Sequence, residues 1–148
     1  NLSLWHKGPN SISYTSIQDD VAIISSKIGY KTDDFSNTTA GAAVLTSSVS
    51  GVINRSADVD YFTVNTATTK SISLVPYNVG TFNSGANEDL VLNVYNAQGS
   101  LISSVNDVTI LNSSVTLAPG SYFISVASTA NANTTTYGML GMYSLSIN

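Results

Sequence analysis

Residues 89–105 read DLVLNVYNAQGSLISSV, and their alternation decides the fold. Successive side chains of an extended strand point to opposite faces. Leu90, Leu92 and Val94 therefore share one face, and Val91, Asn93 and Tyr95 share the other. The tetrapeptide Asn-Ala-Gln-Gly at 96–99 reads as a turn, and SLISSV returns from it as the second arm of a hairpin.

The same period of two extends in both directions from about residue 44 onward, with turn residues recurring between the runs. Phe62 pairs with Val64, Ile72 with Leu74, Val108 with Ile110, and Val115 with Leu117. Tyr122, Ile124 and Val126 share a face, as do Tyr143, Leu145 and Ile147. Pro76 marks a strand end or an edge, because proline cannot donate to a ladder. Short antiparallel strands without helical signal between them predict an all-β fold. It is an antiparallel β-sandwich of about eight strands with jelly-roll-like connections.

The first 30 residues differ. Ile17, Val21 and Ile24 lie at helical spacing, with Ser16 and Asp19 in the S-x-x-D arrangement of a capped N-terminus. This predicts a short N-terminal helix over 16–26, closed by Gly29. Such a helix is either a decoration of the sandwich or the last helix of a preceding domain.

Composition bounds the function. The chain has 148 residues, enough for one domain or one domain with a fragment of a neighbour. Charged residues make up only 9% against 43% hydrophobic, which excludes intrinsic disorder. Five Lys and Arg against nine acids, net charge −4, cannot neutralise a phosphate backbone, so no nucleic-acid partner is expected. No apolar run is long enough for a membrane span or a signal peptide. The absence of cysteine removes disulfides, thiol catalysis and cysteine-based zinc sites together. The one histidine, His6, has no nucleophile motif beside it and cannot alone hold zinc, so catalysis is not expected.

The acids are grouped instead as Asp19–Asp20, Asp33–Asp34, Asp58 with Asp60, and Glu88–Asp89, with Asp107 alone. Closely spaced carboxylates on loops at strand ends are how oxygen ligands reach Ca²⁺, which takes 6–8 of them. Asp33, Asp34 and Asn37 in one loop, with Asp58 and Asp60 in another, form the candidate calcium site. The plainer reading is a pair of solvated turns in which Asp bonds its own backbone. A glycosidase pair of Asp89 with Asp107 is conceivable, yet nothing in the sequence brings the two together.

The eight tyrosines are the other candidates. Tyr77, Tyr95 and Tyr137 fall at strand ends or on the less apolar face, where exposed rings stack on sugars or grip extended peptide. Ordinary sheet packing is the alternative, since tyrosine suits a pleat. Sequons at Asn37, Asn54, Asn112 and Asn133 are expected by chance in a chain so rich in Asn, Ser and Thr.

Four ordered stretches then resemble a known module: GVINRSADVDYFTVNT, DLVLNVYNAQGSLISS, LAPGSYFISVAS and YGMLGMYSLSI. Together they are similar to the bacterial pre-peptidase C-terminal (PPC) domain, with its D-x-D-x-F strand, D-L-x-L-x-[LV]-Y-[DN]-x-x-G hairpin and L-x-[AP]-G-x-Y strand. The likeness covers about residues 33–148. Residues 1–32 resemble the end of the catalytic domain in secreted zinc metallopeptidases that carry this module. They depart from it at His6, where serine is usual, and at Pro9 and Asn10.

The resemblance implies a non-catalytic module, secreted with a hydrolase, that binds substrate or assists secretion and maturation; a monomer is expected. Its implied partners are an extracellular protein or polysaccharide polymer and the parent catalytic domain. In related collagen-binding modules acidic residues before the first strand and in the D-x-D strand bind calcium. By position these are Asp33 and Asp34, then Asp58 and Asp60. A carbohydrate-binding module is the alternative, and a structural spacer or folding aid the third.

Overall fold

The computed structural model describes residues 5–78, 80, 88–106, 112–130 and 135–148. The sequence-predicted strand face of Val108 and Ile110, Asp107, and the sequon at Asn133 lie outside the described residues.

The body is built from β4 (Ser48–Ile53), β5 (Val59–Thr66), β6 (Lys70–Pro76), β7 (Leu90–Asn96), β8 (Leu101–Val105), β9 (Ser113–Leu117), β10 (Gly120–Ser128) and β11 (Gly141–Ile147). Its second half folds back along its first. The antiparallel pairs are β7 with β8, β6 with β9, β5 with β10, and β4 with β11. Two further pairings, β7 with β10 and β6 with β11, wrap this ribbon into two sheets. The orders β5-β10-β7-β8 and β4-β11-β6-β9 are those of a jelly roll, as expected from the sequence.

The tip of the ribbon is the turn at 96–99. Asn96 accepts from the Gly99 N–H at 2.9 Å through its carbonyl. Its side-chain oxygen accepts from the Gln98 and Ser100 N–H groups at 3.0 and 2.9 Å. Gly99 takes φ 81, where a β-carbon would be strained. The register shifts between Val94 and Tyr95, as a bulged hairpin requires.

Alternation becomes burial as the sequence predicts. Phe62, Ile72, Leu74, Leu92, Val94, Ile124, Val126 and Leu145 are all 1% exposed or less between the two sheets. Complete burial of each such side chain contributes about 1.5–3 kcal/mol, which holds the layers together. Pro76 closes β6.

Three features differ from the expectation. A ninth strand, β3 (Ala43–Val44), joins the larger sheet by pairing parallel to β5. The segment before the helix is not irregular: β1 (Lys7–Pro9) and β2 (Ile17–Asp19) form a separate two-stranded sheet. Consequently α1 starts later, at Asp20–Ile28, and its N-cap is Asp19, whose carboxylate accepts from the Ala22 N–H at 2.9 Å. Ser16 is not the cap, because Ile17–Asp19 takes its backbone partners from β1. Gly29 closes the helix as expected, its N–H bonded to the Ser25 carbonyl.

Candidate metal centre

The inner face of β5 carries Asp60, Phe62 and Val64 in succession. Asp60 is therefore a carboxylate at one end of an apolar layer, with no exposed surface. Residues 33–45 are strapped along β5. The Tyr61 N–H donates to the Ser36 carbonyl at 3.0 Å, the Leu45 N–H to the Thr63 carbonyl at 2.9 Å, and the Phe35 ring packs on Phe62 at 4.7 Å. That strap brings Asp33 and Asp34 over Asp60. One carboxylate oxygen from each of the three lies within 4.8 Å of the others.

The sequence-predicted ligands divide by geometry. Asp33, Asp34 and Asp60 converge. Asp58 stands beside them: its Oδ2 accepts from the Asn54 N–H at 2.7 Å. Asn37 is used from both ends, its amide donating to Asp33 Oδ2 at 2.6 Å and its oxygen accepting from the Val59 N–H at 2.8 Å. It braces the two acidic segments against each other.

Asp33 Oδ1, Asp58 Oδ1 and Asp60 Oδ1 are buried without a hydrogen-bond partner. An unpaired buried carboxylate oxygen is costly. Burial raises the Asp60 carboxyl to about 7; the Tyr143 hydroxyl opposes this, and the charges of Asp58, Asp34 and Asp33 add to it. Asp58 is pushed up by burial and by Asp33 and Asp34, against the Asn54 N–H and the Arg55 charge. Unpartnered hard oxygens, converging and mutually repelling, are a donor set suited to calcium.

Sequence reading missed Tyr143 as part of this site. It reaches across from β11 in the opposite sheet and donates to Asp60 Oδ2 at 2.5 Å. Burial foremost, then the Asp60 charge, raises its hydroxyl far above the ordinary tyrosine range. Gly51 faces Tyr143 in register, and a β-carbon there would collide with the ring. The only local signal was a tyrosine beginning an apolar face.

The candidate tyrosines occupy three environments. Tyr77 is 59% exposed and lines a cavity of about 230 Å³ with Ser50, Val75 and Met142. Tyr95 lies on the outer face of the larger sheet, 6.0 Å from the Tyr61 ring, with its hydroxyl 3.5 Å from Ser125 Oγ. The Tyr137 hydroxyl is engaged internally, donating to Asp19 Oδ1 at 2.8 Å and accepting from the Val21 N–H at 3.0 Å.

Neither a family model nor a curated protein sequence matches the chain. Among solved structures it is similar to the pre-peptidase C-terminal domain of collagenase from Bacillus anthracis. The likeness has a TM-score of 0.50 at 14% identity and covers 80% of this chain and 98% of that one. The chain has the PPC-domain fold. Two periplasmic inhibitors of g-type lysozyme are also similar. PliG of Aeromonas hydrophila has a TM-score of 0.46 at 15% identity, covering 79% of this chain and 95% of that one. PliG of Salmonella Typhimurium has a TM-score of 0.41 at 19% identity, with the same coverage. In this PPC fold the acidic cluster sits where the strap before the sandwich meets β5. Among the described residues no helix is long and apolar enough to cross a membrane.

Proposed function

We propose that the chain is a calcium-stiffened, non-catalytic accessory module of a secreted metallopeptidase, holding substrate polymer or protein for its parent. The convergence of Asp33, Asp34 and Asp60 with unpartnered buried oxygens carries the calcium part of this reading. Asp33, Asp34 and Asp60 would hold the ion, with Asp58 beside them. The ion would supply the positive charge that cancels their repulsion and ties the strap to β5. The PPC fold, present in a collagenase, supports the accessory role.

The outer face of the larger sheet is the surface that suits a polymer. Tyr61, Phe123 and Tyr95 stand outward there, with Thr63, Ser125 and Asn93 between them, and none of these positions is charged. The Tyr61 and Tyr95 rings are only 34° apart in tilt and cover Ser125, which is 1% exposed. An uncharged aromatic pair flanked by hydroxyls and an amide also favours a second reading, a carbohydrate-binding module.

Retention of the purified chain on insoluble collagen, cellulose and chitin separates the two. Binding to collagen supports the accessory reading, and retention by polysaccharide alone replaces it with the second. The ion is tested separately by melting with calcium and with a chelator. A ligand that binds only the folded state must raise the midpoint, so an unchanged midpoint removes the calcium site.

A further inference from the structure

Glu88, just before β7, plays no part in the acidic cluster. It is 4% exposed, its Oε2 has no hydrogen-bond partner, and its Oε1 lies against Gly141 so closely that a β-carbon there would collide with it. Gly141 opens β11 and continues the loop 135–140. An ionised carboxylate seated there would be uncompensated, so the neutral acid is the form that fits. Burial alone pushes its carboxyl up to about 8.

The charges around it are few. Loop 135–140 and β11 contain none. The turn after β4 carries Arg55 and Asp58, Asp60 faces β11 through Tyr143, the neighbour in sequence is buried Asp89, and the N-terminal segment brings His6, Lys7, Asp19, Asp20 and Lys27. Asp107 lies outside the described residues.

What Glu88 pins in turn holds the N-terminal segment. The Trp5 ring covers Gly138, where a β-carbon would collide with it. The Tyr137 hydroxyl binds Asp19 and the Val21 N–H at the start of α1, and Lys7 lies 5.5 Å over the Tyr137 ring. Residues 5–28 thus rest on the loop that ends at Gly141.

We propose that Glu88 is a proton-gated clasp: its neutral carboxyl seats on Gly141 and fixes loop 135–140, and loss of its proton releases the N-terminal segment docked there. The ionised form must leave this buried seat for water, and the start of β11 moves with it. Tyr137 titrates above its ordinary range, so it stays neutral while the clasp opens.

The test uses the full chain in chelator between pH 6 and 9.5. Trp5 is the one tryptophan, so its emission reports the docking directly. Tryptic cleavage after Lys27 and Lys31 reports release of α1, with Glu88→Gln digested in parallel to correct for the protease's own pH dependence. The wild type should show a red shift and roughly tenfold faster cleavage, at most tenfold per pH unit for one proton, with a midpoint near pH 8. Glu88→Gln should stay docked at pH 9.5, and Gly141→Ala should be undocked already at pH 6. A wild type without a step in this window overturns the proposal. So does a Glu88→Gln chain with the same step, and this arm decides if Gly141→Ala does not fold.

Discussion

The Tyr143 hydroxyl donates to Asp60 Oδ2 at 2.5 Å and so joins the two sheets through the one carboxylate at the base of the acidic cluster. It leaves Oδ1 buried without a hydrogen-bond partner. One end of the core and the strap over β5 are thereby a single mechanical unit.

Removing that hydroxyl separates its structural role from the charge. Tyr143→Phe leaves Asp60 Oδ2 buried without its donor, a loss of about 2 kcal/mol. Urea unfolding in chelator should show the lower midpoint with an unchanged slope. Gly51→Ala should destabilise by a similar amount, about 1–3 kcal/mol, by driving its new methyl into the Tyr143 ring.

Asp60→Asn should act in opposite directions with and without calcium. The neutral isostere relieves repulsion from Asp58, Asp34 and Asp33, so the chelated protein should melt higher than wild type at pH 8. Its calcium-induced rise in midpoint should vanish. A variant that still gains stability from calcium would show that the ion sits elsewhere.

Stability in chelator should fall as pH rises. Asp60 and Glu88 titrate near 7 and near 8 in the folded chain, above their ordinary values of 3.8 and 4.5. Below the ordinary values both states are protonated. Between those values and the raised ones the unfolded chain releases protons that the folded chain keeps, which favours unfolding. The melting midpoint should therefore drop from about pH 4 to about pH 8 and then level. Calcium should flatten the Asp60 part of this slope, since it favours the carboxylate.

Phe62→Ala should cost about 4 kcal/mol, because it empties the centre of the core and removes the seat of Phe35. Phe35→Ala should cost less in stability but weaken calcium binding, since Phe35 follows Asp34 and holds the strap down. Calorimetric titration of folded Phe35→Ala with calcium checks the second half.

Tyr61→Ala and Tyr95→Ala should reduce polymer retention at least severalfold with little change in melting midpoint. Both side chains are only partly buried, on the outer face. Loss of retention with Tyr77→Ala alone would move the binding surface to the other sheet.

The alternation from residue 44 onward, and with it the two-layer β body, was legible in the chain, because strand periodicity is a property of a few adjacent residues. So were the turn at 96–99, the Gly29 helix end and the two acidic loops. The helix start was not. Ser16 and Asp19 satisfy a local capping rule, but Ile17–Asp19 pairs with Lys7–Pro9, and that partner lies outside any local window. The meeting of Asp33 and Asp34 with Asp60, the arrival of Tyr143 from the other sheet, the Tyr61–Tyr95 pair across β10, and the seat of Glu88 on Gly141 depend on strand order and register. Those follow from how the ribbon folds back on itself. Residue identities supplied the acids and the rings, and only the tertiary structure decided which of them share a space too small and too dry for their charges to be indifferent to one another.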